Sequence, residues 1–87
     1  MIILVNHKIG NPAAFWQSAQ QSLPQLPDAS VQLVLQVIPN TDMNEATCIW
    51  EAASIDALDS YLRSKVGDAS SETYYEVNVA NAMGIPA

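Results

Sequence analysis

The chain has 87 residues, of which 49% are hydrophobic and 14% are charged. A domain of this size buries only about 60 to 65% of its unfolded surface, so we expect a single domain, residues 1–87, that gains stability from dimerisation. The chain has nine acidic and three basic residues, so its net charge is -6. Phosphate backbones and anionic lipids are bound through clusters of Lys and Arg, so this charge argues against nucleic acid and membrane surfaces as partners.

The apolar N-terminal residues and the single cysteine indicate in which cellular compartment the protein is expected. Met1 to Val5 are apolar, but they have no basic start and no small-residue cleavage site, so they predict a strand rather than a targeting peptide. No apolar run approaches the roughly 18 residues that cross a bilayer. Cys48 is the only cysteine and cannot form a disulfide within the chain. We therefore expect a reduced, cytoplasmic protein.

The first part of the chain predicts a strand followed by a helix. Residues 2–9 are rich in β-branched side chains and end at Gly10, which is typical of a strand that runs into a turn. Asn11 and then Pro12 predict the N-cap and first turn of a helix. The apolar residues of this helix recur at helical spacing until prolines end the pattern: Phe15, Trp16, Ala19, Leu23, Pro24 and Pro27.

A hairpin is predicted next. The side chains of Val31 to Ile38 alternate with a period of two, which predicts a second strand. One face is fully apolar, with Val31, Leu33, Leu35 and Val37, and the other carries Gln32, Val34 and Gln36. The polar residues 39–45 predict a loop into an antiparallel third strand, Ala46 to Ala52. Its two faces carry Cys48, Trp50 and Ala52 on one side and Thr47, Ile49 and Glu51 on the other. The sequence leaves open which of these faces the helices.

The second helix is predicted over residues 55–66. Ser54 is its expected N-cap, and Gly67 stands where a left-handed residue ends a helix. Asp56 lies near the positive end of the helix dipole, and Arg63 and Lys65 lie near the negative end. One apolar stripe should face the sheet, and its members are Ile55, Leu58, Leu62 and Val66.

A fourth strand is predicted over Thr73 to Val79. Its apolar alternation, Tyr75, Val77 and Val79, should pack on the helices. The opposite set, Tyr74, Glu76 and Asn78, should then point away from them. Residues 81–87 form a tail for which the sequence predicts no conformation.

The element order predicts an α+β fold. A β-α-β-β-α-β order in so short a chain is ferredoxin-like, with a four-stranded antiparallel sheet and two helices on one face. The other sheet face is left bare, and an exposed apolar face is usually covered. We expect a second copy of the chain to cover it, which makes a symmetric homodimer.

Three runs carry a resemblance to a known superfamily: C-I-W-E-A-A-S-I-D-A-L-D-S-Y-L, G-D-A-S and Y-Y-E-V-N. Together they resemble small bacterial proteins of the dimeric α+β barrel superfamily, over essentially the whole chain. The resemblance implies a homodimer whose two sheets close into a barrel. Members include antibiotic-biosynthesis-type monooxygenases, haem-degrading enzymes, lactone isomerases and polyketide cyclases, and many have no known activity. The likeness therefore points to a fold rather than to a reaction.

Cofactor chemistry is not expected. Resemblance to the haem-degrading members implies an asparagine on the first strand, a tryptophan at the end of the third and a histidine on the second helix. Asn6 and Trp50 stand at suitable places, but residues 55–66 contain no histidine and offer only Tyr61 as a substitute. The sequence also has no local C-x-x-C, H-x-H or H-E-x-x-H motif, so no metal site is predicted.

Two residues have side chains capable of chemistry near neutral pH. His7 is the only histidine, and it suits a general base or a ligand, although a structural hydrogen bond is the alternative. Cys48 lies in an apolar strand with no predicted cation or helix N-terminus nearby, so we expect an inert thiol.

Two functions remain open. The first is a non-catalytic binding or stress-associated module for a small apolar ligand, with Asn6, Trp50, Tyr74 and Asn78 as candidate ligand-binding residues. The second is a cofactor-free monooxygenase- or isomerase-like enzyme for an aromatic or polyketide-like substrate, with His7 or Glu76 as acid or base. Trp50 as plain core or interface packing remains an alternative. We favour the module, because no nucleophile, paired base or metal cluster is legible in the sequence.

Overall fold

The structure is a computed structural model that describes residues 1–26 and 31–83, with the backbone alone for residues 33–36. Its elements in chain order are β1 (Ile2–Ile9), α1 (Pro12–Ser22), a 3-10 turn (Leu23–Gln25), β2 (Gln32–Pro39), β3 (Glu45–Glu51), α2 (Ile55–Val66) and β4 (Ser70–Glu76). The bounds of β1, β2, β3 and α2 agree with the prediction to within one residue. The proline at position 24 lies inside the 3-10 turn, so it does not end the helical path at once.

The four strands form one antiparallel sheet in the order β2-β3-β1-β4. The strand β1 lies inside the sheet and pairs with both β3 and β4. With its two α-helices the protein belongs to the α+β class, and the architecture is compatible with a ferredoxin-like fold.

Local capping explains where the helices begin and end. The Asn11 Oδ1 atom accepts a hydrogen bond of 3.2 Å from the Ala14 N–H, as expected of an N-cap. The Ser54 Oγ atom accepts one of 3.0 Å from the Ala57 N–H. Gly67 follows the last residue of α2 with φ of 57° and ψ of -126°, so the helix ends at a residue of positive φ, which favours glycine as predicted.

The core lies between the sheet and the helices. Ile3 and Val5 of β1 share an apolar cluster with Leu58 of α2. Ile9, on the same face of β1, packs with Phe15 of α1. Because residues two apart on a strand point to the same side, both helices lie on one face of the sheet. On β3 this is the face of Cys48, Trp50 and Ala52, which the sequence left undecided.

The fourth strand differs from the prediction in both position and orientation. It spans Ser70–Glu76, and its Tyr74 packs against the core while Tyr75 is 54% exposed on the opposite face. Val79 lies beyond the strand and is 59% exposed. The prediction that Tyr75, Val77 and Val79 pack on the helices is therefore wrong. The register decides the orientation, since Tyr74 pairs with Val5, which faces the helices.

The other face of the sheet carries no described helix. Leu4 pairs with both Ile49 and Tyr75, so these side chains form an apolar row across three strands. Ile49 is only 9% exposed there. The side chains of Leu33 to Gln36, on which part of the predicted alternation rests, are not among the described ones. Pro27 and residues 84–87 lie outside the described residues altogether.

Candidate functional site

Three titratable side chains meet on the helix-facing side of the sheet. The antiparallel register places His7 of β1 directly opposite Glu72 of β4. Cys48 approaches the same imidazole from β3. The imidazole is 3% exposed, the cysteine is 0% exposed, and the Glu72 side chain is 1% exposed. Such burial of polar groups is costly unless each finds a partner.

The partners form a directional chain of hydrogen bonds. The Trp50 Nε1–H donates to Cys48 Sγ over 2.8 Å, and the same sulfur lies 3.0 Å from His7 Nε2. The other ring nitrogen, Nδ1, lies 2.8 Å from Glu72 Oε2. An ionised carboxylate can only accept, so we assign the ring proton to Nδ1. Nε2 then accepts from the thiol S–H, and both ring nitrogens of His7 have a partner.

Arg63 of α2 neutralises the buried carboxylate. Its guanidinium forms an ion pair with Glu72 Oε1, while the Ser70 hydroxyl donates to Oε2. The same guanidinium donates to the carbonyl oxygens of Ser70, over 3.0 Å, and of Gly67. Asp59, one helical turn earlier, lies 4.0 Å from Arg63 Nε. Arg63 and Ser70 therefore hold the Glu72 carboxylate together with His7.

The surroundings set the protonation states of His7 and Cys48. Burial, with a smaller effect of the Arg63 charge, lowers the pKa of His7 from 6.5 to about 4, so the imidazole is neutral at pH 7. Burial raises the pKa of Cys48 to about 12, although the Trp50 hydrogen bond works in the opposite direction. The thiol is therefore protonated, in agreement with an S–H that donates to a neutral ring.

A small cavity lies beside this chain, between the sheet and the two helices. Its volume is about 30 Å³, and the rings of His7, Phe15, Trp50 and Tyr61 line it. The centroids of the His7 and Phe15 rings are 5.1 Å apart, and those of Trp50 and Tyr61 are 5.7 Å apart. A water molecule needs about 10 to 15 Å³ by this measure, so the cavity has room for about two water-sized atoms.

A larger depression of about 370 Å³ lies at the sheet. Its lining includes the hydroxyl and amide side chains of Asn6, Thr47 and Thr73, the charged residues Lys8 and Glu45, and also His7 and Glu72. The Thr47 hydroxyl donates to Asn6 Oδ1 over 2.8 Å. This depression is polar, whereas the cavity under the helices has aromatic walls.

The residues predicted for the site are not all brought together. His7 and Trp50 meet at the cavity, whereas Asn6 lies on the opposite face of the sheet. Tyr74, expected to point away from the helices, instead faces them, and its hydroxyl donates to Asp59 over 2.6 Å. The remaining two are exposed, at the end of β4 and in the turn beyond it: Glu76 and Asn78.

Sequence reasoning missed Glu72 and Arg63. The prediction began the fourth strand at Thr73, which left Glu72 outside it. One signal was available, because only three cations occur in the chain and one of them, Arg63, lies on the predicted second helix close to the sheet-facing stripe. A cation in that position favours a buried carboxylate partner.

No protein-family model, curated protein or solved structure matches this chain. Within residues 1–26 and 31–83, no group of three or more His, Cys, Asp or Glu side chains is placed to hold a metal ion. No helix in the described part of the chain combines the length and apolarity needed to cross a membrane.

Proposed function

We propose that the protein is a homodimeric, ferredoxin-like module of the dimeric α+β barrel kind that binds a small apolar ligand between its sheet and α1. The supporting observation is the cavity walled by Phe15, Trp50 and Tyr61, with the His7 ring as a polar element. Ligand sites are mostly apolar and carry few polar groups, and this cavity has that character. The free Cys48 thiol fits a reducing, cytoplasmic location, which is part of the proposal.

A ligand larger than two heavy atoms requires the cavity to expand. We expect α1, rather than α2, to move away from the sheet when it does. Phe15 is the only buried residue of α1, whereas α2 buries Leu58, Tyr61 and Leu62. Burial of apolar side chains supplies most of the attachment of a helix, so α1 is the more weakly held of the two. Displacement of the Phe15 ring opens the cavity between the helices and the sheet.

Fluorescence of Trp50 tests ligand binding. The chain has two tryptophans, so Trp16→Phe leaves Trp50 as the only reporter at the cavity wall. Titration with toluene should change its emission saturably. Ala19→Leu, added to this variant, places a larger side chain at the cavity and should abolish the change. The matched control is Gln20→Leu, at an exposed position of the same helix. A non-saturable response, or equal binding by the Ala19→Leu variant, would contradict the proposal.

The open face of the sheet supports the homodimer. Leu4, Ile49 and Tyr75 form its apolar row, and the neighbouring residues Asn6 and Thr47 are uncharged. The same face also carries Lys8 and Glu45, which are opposite each other in the register, and Glu51, so the charged side chains lie outside the apolar row itself. We therefore propose that the two sheets meet along this row.

A second candidate is a cofactor-free monooxygenase- or isomerase-like enzyme for an aromatic or polyketide-like substrate. The observation in its favour is that Glu72 orients the neutral His7 ring at the cavity wall, as a general base requires. Acetylacetone in deuterated water is a suitable probe, because proton NMR reports exchange at its acidic carbon. Catalysed exchange should be lost in His7→Gln and retained in Glu76→Gln, which alters only an exposed carboxylate. Equal exchange with and without protein would exclude this candidate.

A further inference from the structure

We propose that Cys48 is a thiol that reacts with hydrogen peroxide, with His7 as the base that takes its proton and Glu72 as the group that positions the imidazole. The inference goes beyond ligand binding, and it requires no dimer. It departs from the expectation of an inert thiol, which rested on the absence of nearby partners in the sequence.

The three side chains have the geometry of an activated nucleophile. Such sites place nucleophile and base about 2.6 to 3.2 Å apart, with a third group that orients the base. Cys48 Sγ lies 3.0 Å from His7 Nε2, and His7 Nδ1 lies 2.8 Å from Glu72 Oε2. The Trp50 Nε1–H points at the same sulfur from 2.8 Å, where it can stabilise negative charge that develops during attack.

The cavity supplies the space for the oxidant. The rings of His7 and Trp50 both line it and both contact the Cys48 sulfur, whereas Cys48 itself is not in the lining, so the oxidant reaches the sulfur when one of these rings moves aside. A volume of about 30 Å³ accommodates the two oxygen atoms of hydrogen peroxide. A branched alkyl hydroperoxide is too large for this space. Burial of the sulfur therefore predicts selectivity for the smallest peroxide.

The reaction is a two-electron oxidation of the sulfur. Cys48 Sγ attacks one peroxide oxygen, a sulfur–oxygen bond forms, and the oxygen–oxygen bond breaks. The thiol proton passes to His7 Nε2 and then to the leaving hydroxide, which departs as water. The thiol becomes a sulfenic acid, and the peroxide is reduced to water. Because the chain has one cysteine, no disulfide can form within it and the sulfenic acid is the product.

The charged or titratable groups that contact His7 or line its cavity are Cys48 of β3, Tyr61, Arg63 and Lys65 of α2, and Glu72 of β4. The helix α1 contributes no charged side chain. With a pKa of about 4, His7 is in its basic form across the neutral range. Proton transfer within the thiol–imidazole pair then makes the rate of oxidation nearly constant from about pH 5.5 to 7.5. A free thiolate instead reacts about tenfold faster per pH unit below its pKa of about 8.5.

The test is the rate of Cys48 oxidation in the unsubstituted chain. Peptide mass spectrometry follows the addition of one oxygen to Cys48 and separates it from oxidation of the three methionines. Burial keeps the resting thiol protonated, so the rate depends on His7 taking the proton during the attack. With this base in place we expect the folded chain to react at least about tenfold faster at pH 7 than the chain unfolded in urea. The rate of oxidation by hydrogen peroxide should not change with pH over this range. With tert-butyl hydroperoxide, the folded chain should react no faster than the unfolded chain. A folded rate below the unfolded rate, or a rate that climbs with pH like a free thiolate, would overturn the proposal.

Two variants assign the role of each neighbour. Glu72→Gln keeps an oxygen that can accept from His7 Nδ1 but removes the charge that holds the ring proton there, so oxidation should slow several-fold. Tyr74→Phe is the matched control, since it also alters a helix-facing side chain of β4 and removes only the hydrogen bond to Asp59. Circular dichroism verifies the fold of each variant. Equal rates in Glu72→Gln and Tyr74→Phe, with both folded, would remove Glu72 from the mechanism and overturn that part of the proposal.

Discussion

His7 and Glu72 face each other across β1 and β4, with Nδ1 of the imidazole 2.8 Å from Oε2 of the carboxylate. Both side chains are almost fully buried, and Arg63 completes the arrangement from α2. The His7–Glu72 contact therefore links β1 to β4, and the ion pair of Glu72 with Arg63 links both strands to α2. In a domain with a small core, such a network has consequences for stability as well as for chemistry.

Removal of the Glu72 carboxylate should be strongly destabilising. Glu72→Ala leaves the His7 Nδ1–H without its acceptor and removes the partner of Arg63, so we expect a loss of about 3 to 5 kcal/mol in the free energy of unfolding. Glu72→Gln retains an acceptor and should lose less, about 1 to 3 kcal/mol. Urea denaturation measures both. The control Asp59→Asn, at a half-exposed side chain, should change stability by less than about 1 kcal/mol. Wild-type stability in Glu72→Ala would contradict this role.

Acid should weaken the fold through His7. Its pKa is about 4 in the folded chain against 6.5 for an unperturbed histidine, so between these values the unfolded chain binds a proton that the folded chain does not. The stabilisation is complete above pH 6.5 and is lost as pH falls from 6.5 through 4. Each pKa unit corresponds to about 1.4 kcal/mol, which makes the total about 3 kcal/mol. Urea denaturation of the wild type and of His7→Phe at several pH values isolates this term. Parallel pH profiles for the two proteins would show that His7 does not contribute.

The core between α2 and the sheet should be sensitive to truncation. Leu58 is 0% exposed and packs with β1 and β3, so Leu58→Ala should lower the free energy of unfolding by about 2 to 5 kcal/mol. Ile38→Ala provides the comparison, because Ile38 is 54% exposed, and it should lose no more than about 0.5 kcal/mol. Chemical denaturation distinguishes the two. Similar losses at both positions would place the core elsewhere.

The open face of the sheet should mediate self-association. Light scattering coupled to size-exclusion chromatography should show a dimer of the 9.4 kDa chain at micromolar concentration. Tyr75→Glu introduces a charge into the apolar row and should yield a monomer. Gln20→Glu adds the same charge at an exposed position of α1, on the other side of the sheet, and should remain dimeric. A monomeric wild type would exclude the homodimer and the closed barrel.

Features governed by neighbouring residues along the chain were predictable. The N-cap residues Asn11 and Ser54, the glycine of positive φ and the apolar stripe of α2 act within one or two helical turns, and the structure confirms Asn11, Ser54, Gly67 and Leu58 in these roles. The strand β1 was predictable for the same reason, because its β-branched composition and the following Gly10 are local. The alternation of residues in the third strand also showed its two faces, one with Cys48, Trp50 and Ala52 and the other with Thr47, Ile49 and Glu51.

The site was harder to predict, because its partners come from four elements. The sequence singled out His7 and Trp50, and the structure brings them together at the cavity. Glu72 was missed because an isolated acid is usually exposed, and only pairing with β1 turns it inward. Tyr74 and Tyr75 were given the wrong faces, since apolar alternation favoured Tyr75 for the core.

The sequence by itself determined the succession of helices and strands and the ends of the helices, because backbone propensity and capping are short-range. Only the tertiary structure decided the register of β4 against β1, and this register determines which side of the strand is buried. It buries Glu72 beside His7 because Arg63 of α2 compensates the charge there. The inward direction of a side chain in a strand depends on its partner strand, and that partner lies more than sixty residues away along the chain.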